Sequence, residues 1–405
     1  VTSEPRFNPY QQEFAADPYP VYARLRDQNP IFFSSEFGLT FFTRYRDIVN
    51  MLTDNRLGRV MTDAATGEKQ QAETRSELPF YDRYVRVNLL ETEGANHSRL
   101  RRLLAKAINL RRIHGLRGRV QIIVDDLLDK LQQQREMDFL EDLAVPLPVQ
   151  VISELLGWPA AERHRLRPWS AAIVRLYERN HTPEDESKAE VATEEFAAML
   201  TNLAEMRRGD RKNDLISTLV LIESEGQRLS EDELIASCMM VLNAGHEATV
   251  NSAGNGLLAL LRNPQQMAKL RSDPLLITTA VEEMLRYDSP LHFFHRFVLE
   301  DMAYEGVELE KGDKVGLLYG SANRDPEFFD DADNFNIARH PNRHLAFGMG
   351  THFCLGAPLA RLELSILFNT MLRRFPDIRL ADEHPEYHTG LVFRGLKRLR
   401  VKLTA

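Results

Sequence analysis

Apolar and polar positions alternate along this chain mostly with a helical period, and a few short runs read as strands. The clearest element covers residues 234–261, where only His246 and Glu247 interrupt a stretch free of charge. Asn243, Asn251, Ser252, Gly254, Asn255 and Gly256 make it too polar for lipid, so it predicts a buried central helix. Ser230 with Glu233 forms a capping box, Leu229 with Leu234 supplies the matching hydrophobic staple, and Asn263-Pro264 ends the element. About thirty residues at ~1.5 Å each give ~45 Å, enough to cross a domain. Residues 89–110 predict a second helix, basic on its outer faces. Strand-like runs lie at 30–33, 39–43, 296–299, 314–318 and 393–403. The class is mainly α with small β-sheets. No repeat, low-complexity tract or Gly/Ser linker divides the chain, so residues 1–405 are expected to form a single domain.

Composition narrows the function. A chain of 405 residues with 43% hydrophobic and 27% charged positions can build a large core. Its net charge of -8 excludes a general nucleic-acid binder. Against that background, eight Lys/Arg and no Asp or Glu between Arg99 and Arg119 form a local basic patch, either a solvated helix surface or a dock for an acidic partner. The opening residues lack a basic start and an apolar run, so no signal peptide or membrane anchor is expected, and a cytoplasmic location follows.

Two cysteines cannot make a disulfide framework in a chain this long. Cys238 lies within an apolar helical run and reads as a core thiol. Cys354 lies in Phe347-Gly348-Met349-Gly350-Thr351-His352-Phe353-Cys354-Leu355-Gly356, just before Ala357-Pro358. The glycines permit a tight loop beside a flat partner, and Pro358 suits the first turn of a following helix. The thiol therefore stands near a helix N-terminus, which favours the thiolate. With no second cysteine nearby it is not a structural zinc site, whereas one thiolate beneath a macrocycle fits.

This FxxGxxxCxG segment resembles the signature of the cytochrome P450 family of haem-thiolate monooxygenases, and further matches recur in order along the chain. Glu283 and Arg286 are similar to the family's ExxR pair, and Arg339 to the arginine that completes its structural triad. His97 and Arg101 match its HxxxR, and Arg296 and His352 its remaining propionate contacts. Phe347, Gly348 and Gly356 belong to the cysteine loop. Ala244-Gly245-His246-Glu247-Ala248-Thr249 resembles the oxygen-activating segment, in which Ala244 and Gly245 leave room at the haem face and Glu247 relays protons. His292 and Phe293 fall where the family lines its substrate pocket.

The resemblance implies a single-domain P450 fold holding haem b between the long central helix and the loop of the axial ligand Cys354. It implies a soluble bacterial type that inserts one oxygen atom of O2 into a hydrophobic or polyol-type small molecule. No dinucleotide, flavin or ferredoxin segment is present, so electrons must come from a separate ferredoxin and NAD(P)H-dependent reductase. The departure lies at Ala248, where the family usually has Thr directly after the acid. Thr249 does not replace it automatically, because one helical position turns a side chain by about 100°. Three readings stand open: the substrate supplies a hydroxyl, Thr249 or Asn243 does so through a helix bulge, or proton delivery is poor. A peroxide-driven haem-thiolate enzyme and a non-catalytic haem-binding sensor or carrier are the alternatives.

Overall fold

The central helix runs without interruption from Glu231 to Arg262. Its start is fixed as the sequence predicts: Glu233 N–H donates to Ser230 Oγ at 3.1 Å, and Ser230 N–H donates to Glu233 Oε2 at 2.8 Å. The helix passes through both of the chain's two compact units. One unit comprises residues 1–58, 124–146 and 248–405, the other 59–123 and 147–247. The computed structural model describes residues 5, 7–61, 77–224 and 226–403. The opening segment on which the no-anchor expectation rests lies partly outside these. Among the described residues no helix is long and apolar enough to cross a membrane.

The first unit holds a five-stranded sheet in the order Ile31–Ser34, Leu39–Phe42, Lys314–Leu317, Phe294–Val298, Leu57–Gly58, with the second and third strands parallel and the other pairs antiparallel. Adjacent residues of a strand point to opposite faces, and Phe41 and Phe42 accordingly enter different cores. Phe41 joins Phe7, Phe14, Tyr22, Phe32 and Phe293, while Phe42 joins Ile48, Met51, Val315 and Leu317. A smaller sheet orders Arg379–Leu380, Arg400–Lys402, Glu136–Asp138, all antiparallel. The expected strand over 393–403 therefore shrinks to its last rungs. Upstream, Gly395 packs so closely on the Asn251 amide that it has no room for a side chain.

The second unit is helical. The expected 89–110 helix is cut at both ends: Asn88 Oδ1 caps a separate turn at Leu89–Glu91, and the helix proper is Gly94–Ala107. Its long helix, Pro183–Gly209, has its own capping box, Thr182 N–H to Asp185 Oδ2 at 2.9 Å and Asp185 N–H to Thr182 Oγ1 at 3.2 Å. Phe196 of this helix stacks on Trp169 at 5.2 Å, and Trp158 meets Trp169 edge-on at 6.1 Å. Arg207 and Asp214 form a buried ion pair at 2.6 Å.

The segment leading to Cys354 has little regular structure and is anchored by the helix Ile277–Tyr287. Glu283 and Arg286, both 0% exposed, pair bidentately at 2.8 Å. Arg286 also donates to the carbonyls of Asn323, Ala332 and Asn334, and the same carboxylate accepts from Arg339 Nε, Asn342 Nδ2 and Asn336 N–H. Every one of these donors compensates a charge that burial would otherwise penalise. Arg286→Met should therefore destabilise the protein by ~3–5 kcal/mol, and Arg339→Met, whose side chain is 10% exposed, by clearly less. Urea unfolding followed by circular dichroism reads both. Equal losses would show that burial does not set the cost.

Candidate functional site

The cysteine loop is built by backbone hydrogen bonds and left-handed glycines. Cys354 N–H donates to Phe347 C=O at 3.0 Å, Gly348 N–H to Leu345 C=O at 2.9 Å and Phe353 N–H to Gly350 C=O at 3.1 Å. Gly348 and Gly350 have φ of 65° and 74°, a region that side chains disfavour. At Gly350 a Cβ would also lie 2.6 Å from Leu52 O. Gly356 caps the helix Ala357–Arg374, with Pro358 in its first turn as expected. Cys354 thus stands two residues before that cap, its thiol exposed. A Cβ at Gly356 would come 3.8 Å from Cys354 Sγ, an ordinary van der Waals distance. Arg361 lies over the Phe347 ring at 4.6 Å and pairs with Glu282 at 2.6 Å, which fastens the loop to the helix carrying Glu283.

The other cysteine has the opposite character. Cys238 is 0% exposed, and burial, aided by the Asp214 charge, pushes its thiol up to about 12. It is a packing residue.

Arg296 is buried in the strand Phe294–Val298, and its Nη1 donates to His295 O at 2.9 Å. His352 is half-buried in the short turn Gly350–His352. In the second unit, His97 is buried on the helix Gly94–Ala107, with Arg101 half-buried one turn on, the spacing that puts two side chains on one face. His292 and Phe293, expected at a substrate pocket, are both buried. His292 Nδ1 shares a 3.0 Å hydrogen bond with Tyr22 OH inside a buried network around Asp288, Tyr387 and Arg394, and burial lowers its pKa to about 3. Phe293 meets Phe41 at 5.9 Å in the aromatic core. The network joins positions hundreds of residues apart, which no local pattern announces.

Along the central helix, Ala244 is exposed while Gly245 faces the helix Pro146–Leu156, where a Cβ would lie 2.9 Å from Ile152 Cδ1. The smallness of Gly245 therefore serves close helix packing, and Ala244 is the small residue on an open face. The Glu247 carboxyl is raised by burial, with Arg167 opposing the rise. His246 is pushed down to about 4, first by burial and then by Arg167. Arg167, on the helix Leu166–Arg175, is an electrostatic neighbour of the acid that the sequence reading missed, since one arginine in an amphipathic helix carries no distinguishing signal. No bulge occurs near Ala248, and Ser252 Oγ donates to Ala248 O at 2.7 Å. Thr249 is buried.

The basic stretch is partly neutralised by distant acids. Arg99 pairs with Glu233, Arg119 with Glu154, and Arg112 Nη2 donates to Thr218 Oγ1. Arg102, Lys106, Arg111 and Arg117 are exposed.

The donor chemistry fits haem. Among the described residues no group of three or more His, Cys, Asp or Glu could hold a metal ion. Cys354 would supply the single protein thiolate that haem needs, the remaining ligands coming from the macrocycle itself.

Comparison with known proteins agrees. The family model described as Cytochrome P450 matches residues 168–399. The chain is 39% identical to the polyketide biosynthesis cytochrome P450 PksS of Bacillus subtilis over 98% of each chain. It is also 39% identical to the cytochrome P450 monooxygenase PikC of Streptomyces venezuelae, over 96% of this chain and 92% of that one. The solved structure of PksS superposes with a TM-score of 0.89 at 37% identity, covering 99% of this chain and 100% of the other. That of P450BioI with an acyl-carrier protein bearing hexadec-9Z-enoic acid gives 0.89 at 34% identity over 97% and 99%. With its mainly helical fold, its cysteine loop and these relatives, the chain belongs to the cytochrome P450 family of monooxygenases, oxidoreductases whose haem is bound by a cysteine thiolate.

Proposed function

We propose that this protein is a cytoplasmic monooxygenase of hydroxylated, polyketide-type small molecules, with residues 1–405 acting as one haem domain and Cys354 as the iron ligand. Bound haem supplies dioxygen activation and the oxidising chemistry, which thiolate donation favours. Support for Cys354 is its exposed thiol in a closed, hydrogen-bonded loop, against the fully buried Cys238. Arg296, His352, His97 and Arg101 supply cationic or donor groups for the two propionates, whose charge-assisted bonds offset the cost of burying them.

The observation that carries the substrate reading is Ala248 on an unbroken helix. Glu247, with its raised pKa, stays protonated to a higher pH than an ordinary carboxylic acid and suits a proton relay. Next to it, where a hydroxyl would order water, stands a methyl group. Without a bulge, Thr249 is turned away by about 100°. A hydroxyl brought by the substrate fills that role, and the similarity to PksS, a polyketide biosynthesis P450, supports a polyketide-type molecule as its bearer. Electrons come from a separate ferredoxin and its NAD(P)H-dependent reductase, steered by the exposed cations Arg102, Lys106, Arg111 and Arg117.

Two outcomes follow. Product formed per NAD(P)H consumed should change little in Ala248→Thr with the true substrate, whereas a substrate analogue lacking the assisting hydroxyl should lower coupling in the native protein about tenfold, or about 1.4 kcal/mol, and Ala248→Thr should recover it. A large coupling gain with the true substrate would overturn substrate assistance. Equal turnover with hydrogen peroxide alone would favour a peroxide-driven enzyme. Arg102→Glu should slow haem reduction by an acidic ferredoxin about tenfold at low salt and leave substrate binding intact, as stopped-flow and spectral titration would show. An unchanged, salt-insensitive rate would refute the docking assignment.

A further inference from the structure

A groove of about 740 Å³ opens beside the smaller sheet, lined by Arg135, Arg379, Lys402 and Arg374, by the carboxylate of Glu136 and by neighbouring glutamines. All of these belong to the first unit. Its charge pattern is unusual for a sheet. Arg379 lies directly opposite Lys402 on neighbouring antiparallel strands, an arrangement that places two like charges side by side on one face. On the far side of Lys402 the register sets Glu136, which could have neutralised it. That carboxylate is instead drawn to Arg400 at 2.6 Å. The other acid of the sheet, Asp138, is taken by Arg398 at 3.0 Å. Arg374 is held by Asp125 and Asp129. Leu403 N–H donates to Arg135 O at 2.8 Å, so Arg135 lies one residue beyond Glu136, outside the Arg379–Lys402 row but within the groove lining. Among the described residues, Arg135, Arg379 and Lys402 pair with no carboxylate.

Opposed like charges in a ladder cost stability unless something compensates them. An anion in the groove would do so, and a guanidinium fork beside an ammonium suits an oxyanion bearing more than one charge. The neighbouring glutamine amides add neutral donors. We propose that this groove binds the phosphoryl group of a small molecule, with Arg379 and Lys402 as its principal contacts and Arg135 as a supporting charge. A concave site suits a free phosphate ester better than a flat membrane surface. The assignment is independent of the haem reading.

Inorganic pyrophosphate is the probe, titrated by calorimetry into the holoenzyme at fixed ionic strength, with chloride as the control. Saturable binding is expected, weakened about tenfold or more by Arg379→Gln and by Lys402→Gln. The same single substitutions should raise the urea midpoint without pyrophosphate, since each removes the like-charge opposition, and should abolish the rise that pyrophosphate gives the native protein. A purely structural role for either cation would instead lower the midpoint. Equal affinity in the variants, an effect matched by chloride, or a lowered midpoint would each overturn the proposal. Binding to phosphatidylglycerol vesicles with no response to pyrophosphate would assign the cations to a lipid surface and overturn the small-molecule site.

Discussion

One buried carboxylate holds the cysteine side of the molecule together. Glu283 is out of contact with solvent, and donors converge on its carboxylate from its own helix and from the irregular chain at 336–342, offsetting the cost of burying it. Arg286 extends the same constraint by engaging the carbonyls at 323, 332 and 334. Backbone that cannot pair within a helix or strand must find partners elsewhere, and here a single ion pair supplies them. The loop bearing Cys354 inherits its position from this arrangement, with Glu282 and Arg361 adding a second tie from the same helix.

Along the central helix, an acid is followed directly by a residue without a side-chain hydroxyl. Glu247 is held in a setting that favours its protonated form. Its neighbour contributes a methyl group, while Gly245 is spent on close contact with Ile152. The helix therefore offers an acid, an exposed position at Ala244 and a methyl group directly after the acid.

Much of this was legible because its determinants are local. The Ser230/Glu233 cap, the glycines around Cys354 and the three-residue spacing of Glu283 and Arg286 are each written within a few positions. The capping box of Pro183–Gly209 is equally local, written in Thr182, Pro183 and Asp185. What stayed hidden depends on distant partners. The basic stretch reads as uncompensated until Glu233 and Glu154 fold onto it. His292 reads as a pocket residue until Tyr22 and the Asp288 network enclose it. The opposed cations Arg379 and Lys402 become visible only through strand register. A motif names residues within a few positions of one another, whereas their packing partners come from distant parts of the chain.

The aromatic trio has a practical consequence for spectroscopy. Trp158 and Trp169 are the chain's two tryptophans, and both are buried beside Phe196 in the second unit. Intrinsic tryptophan emission therefore originates wholly from that unit. Melting curves taken by emission and by haem absorbance would monitor different parts of the same chain, and their agreement or divergence would measure how cooperatively those parts unfold.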